Sequence, residues 1–198
     1  MWLVFLGPPG AGKGTQSGRL IEYIDATHVS TGDILREAVR SDSEEGREVE
    51  QYLSAGTLVP DPLIIRIFAR HLATLDGGDN ILFDGFPRNL TQAKALEDLL
   101  EERGTPLEGV FYLQVDSDEL LRRLAGRGRN DDRVDVIRHR LEVFCKQTEP
   151  LIDHYEQLGM LHVIDGVGTE DEVFGRIRAG IDDIRKHQVE SKNEGESS

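Results

Sequence analysis

One short run, GPPGAGKGT at residues 7–15, constrains this chain more than any other. It follows the continuous apolar run WLVFL (Trp2–Leu6), the pattern of a strand buried on both faces. A helix is expected to follow from about Lys13 to Tyr23. A buried strand, closed by a glycine-rich turn that opens a helix, is the first half of a parallel α/β unit. The rest of the chain keeps that rhythm. THVS, NILFD, GVFYLQVD and MLHVID read as further strands, separated by segments with helical spacing. Ser41 with Glu44 forms a capping box for a helix ending near Ala55, and Thr169 with Glu172 caps the last helix. Pro150 is expected to bend or interrupt the helix marked by Val134, Ile137, Leu141 and Phe144. Residues 30–59 carry helices and no strand, which predicts a small helical insertion beside the sheet.

The chain's 198 residues suit one domain. With 23 Lys+Arg against 37 Asp+Glu, its net charge of −14 argues against nucleic acid or an anionic membrane as partner. The single cysteine excludes an internal disulfide and a cysteine-built zinc site. Cys145 is expected to be a buried thiol on an apolar helix face. The opening MWLVFLGPPG has no positive n-region and too short an apolar run for a signal peptide, so a cytoplasmic protein is expected. The polar end, 188–198, reads as a disordered tail after a single domain over 1–187.

The glycine-rich run has chemistry of its own. Glycines let main-chain N–H groups close round phosphate oxygens, and the helix N-terminus adds a favourable dipole. Lys13 supplies a point charge for the β- and γ-phosphates. Ser or Thr usually follows such a lysine directly; here Gly14 intervenes before Thr15. In FDGFPR, Asp84 ends a buried strand at the sheet edge where open α/β folds bind ligands. It either holds Mg²⁺ through water or caps the next turn. Arg88 lies just beyond, where a guanidinium forks onto phosphate. An acidic chain also clusters arginines in GRGRNDDR (126–133). Any one of them alone is ordinary salt-bridge material.

GPPGAGKGTQ, STGDILR, GTLVPD, DGFPRNLTQA and RNDDR…RHRL, in that order and spacing, resemble the adenylate kinases. The resemblance runs from the first strand to IDGVG. It implies a P-loop three-layer α/β sandwich with a central five-stranded parallel sheet, and reversible transfer from Mg·ATP to AMP, giving two ADP. A monomer is expected because no exposed apolar heptad or edge pattern stands out in the sequence. The resemblance implies that Gly10, Ala11, Gly12, Lys13, Gly14 and Thr15 hold ATP phosphates, with Arg123 and Arg127, and that Gly168 lies against the ATP adenine. Thr31, Arg36, Thr57, Leu58, Val59, Gly85, Phe86, Pro87, Arg88 and Gln92 line the AMP site. Arg36 and Arg88 bind its phosphate; Gln92 and the backbone near Val59 read adenine. Arg129 and Arg140 clamp the transferring group and the AMP side. Lys13, Arg88, Arg123, Arg129 and Arg140 form the catalytic set, and Asp84 and Asp33 are candidates for the magnesium water shell. Arg133 is assigned to the surface.

The resemblance is to the form with a short lid, since 126–133 runs almost directly into the next helix. Zinc is therefore not expected. UMP/CMP kinase is the nearest rival, against which Thr31 and Gln92 favour AMP. A non-catalytic nucleotide sensor would have lost Lys13 or an arginine clamp, and none is lost.

Overall fold

The computed structural model describes residues 1–41, 43–55, 57–75, 80–125 and 134–195. Five strands, β1 (Trp2–Leu6), β2 (Ala26–Ser30), β3 (Asn80–Asp84), β4 (Gly109–Gln114) and β5 (Leu161–Asp165), form one all-parallel sheet. Its order is β2-β3-β1-β4-β5. The helices are α1 (Lys13–Ile24), α2 (Thr31–Arg40), α3 (Glu44–Ala55), α4 (Asp61–Leu72), α5 (Leu90–Glu102), α6 (Ser117–Ala125), α7 (Val134–Val143), α8 (Pro150–Gln157) and α9 (Glu170–Gly195).

The central strand β1 shows why an uninterrupted apolar run is a strand here. Side chains alternate between faces, and both faces are covered. Trp2, Val4 and Leu6 join one core with Phe68, Phe83 and Leu96, while Leu3 and Phe5 join another with Leu20, Phe111 and Ile177. Each such side chain, fully buried, contributes about 1.5–3 kcal/mol. Helix α1, after β1, packs on the second face; α5, after β3, packs on the first. The connections leaving β1 and β3 thus part to opposite faces, and the carboxyl ends of these neighbouring strands flank a crevice.

Four local expectations change. Ser41 is the C-cap of α2, its Oγ donating to the Ala38 carbonyl, and Ser43 caps α3 by accepting from the Gly46 N–H at 3.0 Å. The tight α2–α3 turn leaves the later serine at the helix start. The long helix after 133 is interrupted before Pro150, by a π-helical turn at Phe144–Thr148. That wider turn keeps Phe144 and Thr148 inward and leaves Cys145 exposed rather than buried. Finally, the backbone is helical through Gly195, where the composition reads as a disordered tail. Extending a nucleated helix adds one hydrogen bond per residue fixed, and Glu and Lys extend it well.

Helices α2 and α3 follow β2 directly and pack closely on each other. A Cβ on Gly46 would lie 2.1 Å from the Ala38 carbonyl oxygen, so only glycine permits this approach. No described helix is long and apolar enough to cross a membrane.

Candidate active site

The loop after β1 turns on glycines in left-handed conformations, Gly10 at φ 86° and Gly12 at φ 99°, the latter ending where α1 begins. A side chain on Gly10 would in addition strike Leu124, 2.8 Å away. Within the loop Ala11 N–H donates to Pro8 O. Lys13 Nζ folds over it, donating to the carbonyls of Gly7 (2.6 Å) and Pro8 (3.1 Å). Gly14 and Thr15 stand exposed on the first turn of α1.

Arg123, from α6, reaches the same loop. Its guanidinium donates to Ala11 O at 3.4 Å and to Gly166 O at 2.9 Å, bridging the phosphate loop to the turn after β5 that carries Gly168. Glu119, one helical turn back, holds Arg123 Nε at 2.6 Å and pairs with Arg122 through both carboxylate oxygens. Hydrogen bonds from Arg122, then Arg123, lower the Glu119 carboxyl from 4.5 to about 2. A depressed carboxylate stabilises the fold fully above its unfolded value and loses that contribution as pH falls through the folded one. Melting curves between pH 4.5 and about 2 should therefore fall more steeply for the native chain than for Glu119→Gln.

On the other side of the crevice, β3 delivers Asp84, which pairs in register with Phe5 of β1. Burial alone would push its carboxyl up. The neighbouring His28 ring and the charges of Lys13 and Arg88 outweigh burial and hold it below the usual range. His28 Nε2 stands 3.7 Å from Asp84 Oδ2. Asp33 is placed differently: its carboxylate accepts from Arg36 at 2.6 Å and is largely exposed. The Arg36 contact, more than any other, lowers its pKa.

Beyond Asp84, Gly85 (φ 85°) brings the chain round so that Arg88 Nε donates to Gly85 O at 2.8 Å. Phe86, stacked on Phe68 at 4.1 Å, and Pro87 anchor this turn in the core. Thr31 opens α2 beside it. Its hydroxyl is buried and has no hydrogen-bond partner among the described residues. Gln92 is buried at 2 % exposure, and its side chain accepts from the Arg88 backbone N–H. Asp61, next after the Thr57–Pro60 segment that contains Leu58 and Val59, accepts from Gln92 Nε2 at 2.8 Å. Arg36 lines a cleft of about 250 Å³ with Val39, Arg40, Glu50 and Leu53.

Arg88 also lies within electrostatic reach of a second guanidinium. Much of its surface reaches solvent, yet burial and, next, the charge of Arg140 from α7 depress its pKa, with Asp84 opposing both. Like charges held together at the carboxyl edge of a sheet raise each other's energy, and an anion between them reverses the sign.

The structure thus brings Lys13, Asp84 and Arg88 within electrostatic reach, and Arg88 with Arg140. Arg127, Arg129 and the rest of 126–133 lie outside the described residues, as does Gly56. His28, Glu119 and Asp61 went unremarked as site residues. For Glu119 the i, i+4 spacing to Arg123 was the available signal; His28 offered none, because only strand pairing places it beside Asp84.

The family model for adenylate kinase matches residues 5–160. The chain belongs to the adenylate kinase family. Its relatives include an adenylate kinase of Synechococcus sp. (strain RCC307), 49% identical over 179 residues, spanning 90% of this chain and 97% of that one. One from Thermus thermophilus is 47% identical over 183 residues, 90% and 96% of the two chains. One from Parabacteroides distasonis is 42% identical over 187 residues, 92% and 98%. Family membership makes this a nucleoside monophosphate kinase fold with phosphotransferase chemistry.

Proposed function

We propose that the chain catalyses reversible phosphoryl transfer from Mg·ATP to AMP, giving two ADP. The observation that carries this reading is the glycine loop with Lys13 Nζ folded over the Gly7 and Pro8 carbonyls, beside an Asp84 held ionised and an Arg88 turned back onto Gly85 at the same sheet edge. One phosphate chain fits the loop under Lys13 and Arg123; a monophosphate fits between Arg36, Arg88 and Arg140. The γ-phosphoryl then lies between two sets of positive charge.

Such a reaction needs positioning and stabilisation of spreading negative charge rather than a general base. Lys13 and Arg123 orient the donor, Arg88 and Arg140 the acceptor, and the buried Thr31 hydroxyl offers a hydrogen bond on the acceptor side. Magnesium comes with the nucleotide as substrate. Among the described residues no group of three or more His, Cys, Asp or Glu side chains is placed to hold a metal directly. One ionised carboxylate suits Mg²⁺, which keeps its waters and takes its other ligands from phosphate. Asp84 fits that role. Asp33, paired with Arg36, would have to exchange partners to join it.

By the family resemblance Arg127 and Arg129 complete the clamp and Gly168 backs the ATP adenine. The chain is expected to act as a monomer, with cytoplasmic adenine nucleotides as its pool. A coupled assay of ADP formation from ATP across AMP, CMP and UMP tests the reading. AMP should be strongly preferred; a preference for CMP would assign the chain to UMP/CMP kinase instead.

A further inference from the structure

A glutamine amide is pseudo-symmetric. Turned over, it exchanges donor for acceptor, and with them the nucleobase it complements. A 6-aminopurine offers an amino donor and the N1 acceptor on its Watson–Crick edge; a 6-oxopurine offers a carbonyl acceptor and an N1–H donor. An amide that has not been fixed in one orientation discriminates poorly between them.

The Gln92 amide is fixed from both ends. The Arg88 main-chain N–H lies 2.8 Å from Oε1, and since an N–H only donates, the atom facing it is the oxygen. Nε2 donates to Asp61 Oδ1 at 2.8 Å, and a carboxylate only accepts. Asn89 Nδ2 donates to the same Asp61 oxygen at 2.9 Å. The Asn89 amide is in turn oriented by the Gln92 main-chain N–H, which donates to Asn89 Oδ1 at 2.9 Å as the N-cap of α5. The ring is closed. A reversed Gln92 would set its oxygen against the carboxylate and its NH₂ against an N–H. At 2 % exposure it has little water to compensate. In the orientation held, one lone pair on Oε1 and one N–H on Nε2 remain uncommitted among the described residues, the complement of a 6-aminopurine.

We propose that Asp61 is a specificity-determining positioning residue, locking the Gln92 amide in the orientation that accepts a 6-aminopurine monophosphate and refuses its 6-oxo counterpart. It acts through Gln92, not on the reacting atoms. The proposal rests on the reading that Gln92 faces the acceptor's nucleobase.

The test is kcat/KM for AMP and for inosine monophosphate, with ATP as donor, in the native chain, Asp61→Ala, Asp61→Asn and Gln92→Ala. Asp61→Ala should lower the AMP-to-IMP ratio about tenfold, the worth of one hydrogen bond that sets orientation. Asp61→Asn should keep most of the ratio, because Asn89 Nδ2 still calls for an oxygen at that place. Equal loss with both substrates in Asp61→Ala, leaving the ratio unchanged, would overturn the proposal. If Gln92→Ala leaves the ratio unchanged, the base-recognition reading itself fails. If Gln92→Ala abolishes discrimination and Asp61→Ala does not, only the Asp61 assignment fails. Should Asp61→Ala not fold by circular dichroism, Asp61→Ser makes the same test. Its hydroxyl can donate or accept, so the ratio should fall, and an unchanged ratio would again overturn the assignment.

Discussion

Arg88→Ala should lower turnover of ATP with AMP by about a thousandfold or more, the scale of an arginine that stabilises charge in phosphoryl transfer. The size follows from its position. Arg88 feels the charges of both Arg140 and Asp84, and a truncated side chain leaves a monophosphate with two guanidiniums where it had three. Arg88→Lys should recover only part, since an ammonium keeps the charge but not the planar fork. Stability should move the other way. Removing a cation that its neighbour repels should leave the thermal midpoint unchanged or slightly raised. Steady-state kinetics with a coupled ADP assay, beside a melting curve, reads both. A large drop in melting temperature with a proportionate drop in activity would show that Arg88 serves the fold instead.

Lys13→Ala is expected to reduce kcat by about 10²–10³, comparable to removing one preorganised donor from a developing anion. Lys13 Nζ sits on the main-chain oxygens of Gly7 and Pro8, so its position is set by the loop and not by a carboxylate partner alone. Its charge also helps keep Asp84 ionised. The variant should therefore weaken ATP binding and raise the magnesium concentration needed for half-maximal rate. Kinetics at varied Mg²⁺ separates the two effects. An unchanged kcat with only a higher KM for ATP would reduce Lys13 to a binding residue.

Much of this architecture was legible in the chain. The central strands β1, β3 and β4 were legible as short apolar runs between helical segments, because burial on both faces leaves little room for polar alternation. The phosphate loop was legible because its glycines and lysine are local requirements of local geometry. Capping at Thr169 and Glu172 was legible for the same reason, with Thr169 N–H donating to Glu172 Oε2 at 2.7 Å. Ser41 misled because two serines compete at one turn, and the turn's path decides which of them faces the helix start. Cys145 misled because helical periodicity assumes an unbroken helix, and the π-turn adds a residue to the count.

The site divides along the same line. Residue types and spacing were enough to establish a phosphate loop, an acidic strand end and an arginine three residues past Gly85. They could not show that His28 comes to Asp84, that Arg140 comes to Arg88, or that Asp61 takes hold of Gln92. Those pairs join positions 56, 52 and 31 residues apart, and only the tertiary fold, such as the pairing of β2 with β3 and the packing of α4 on α5, brings them together. A motif records what one stretch of backbone requires of itself; charge repulsion and amide orientation depend on neighbours that the fold alone selects.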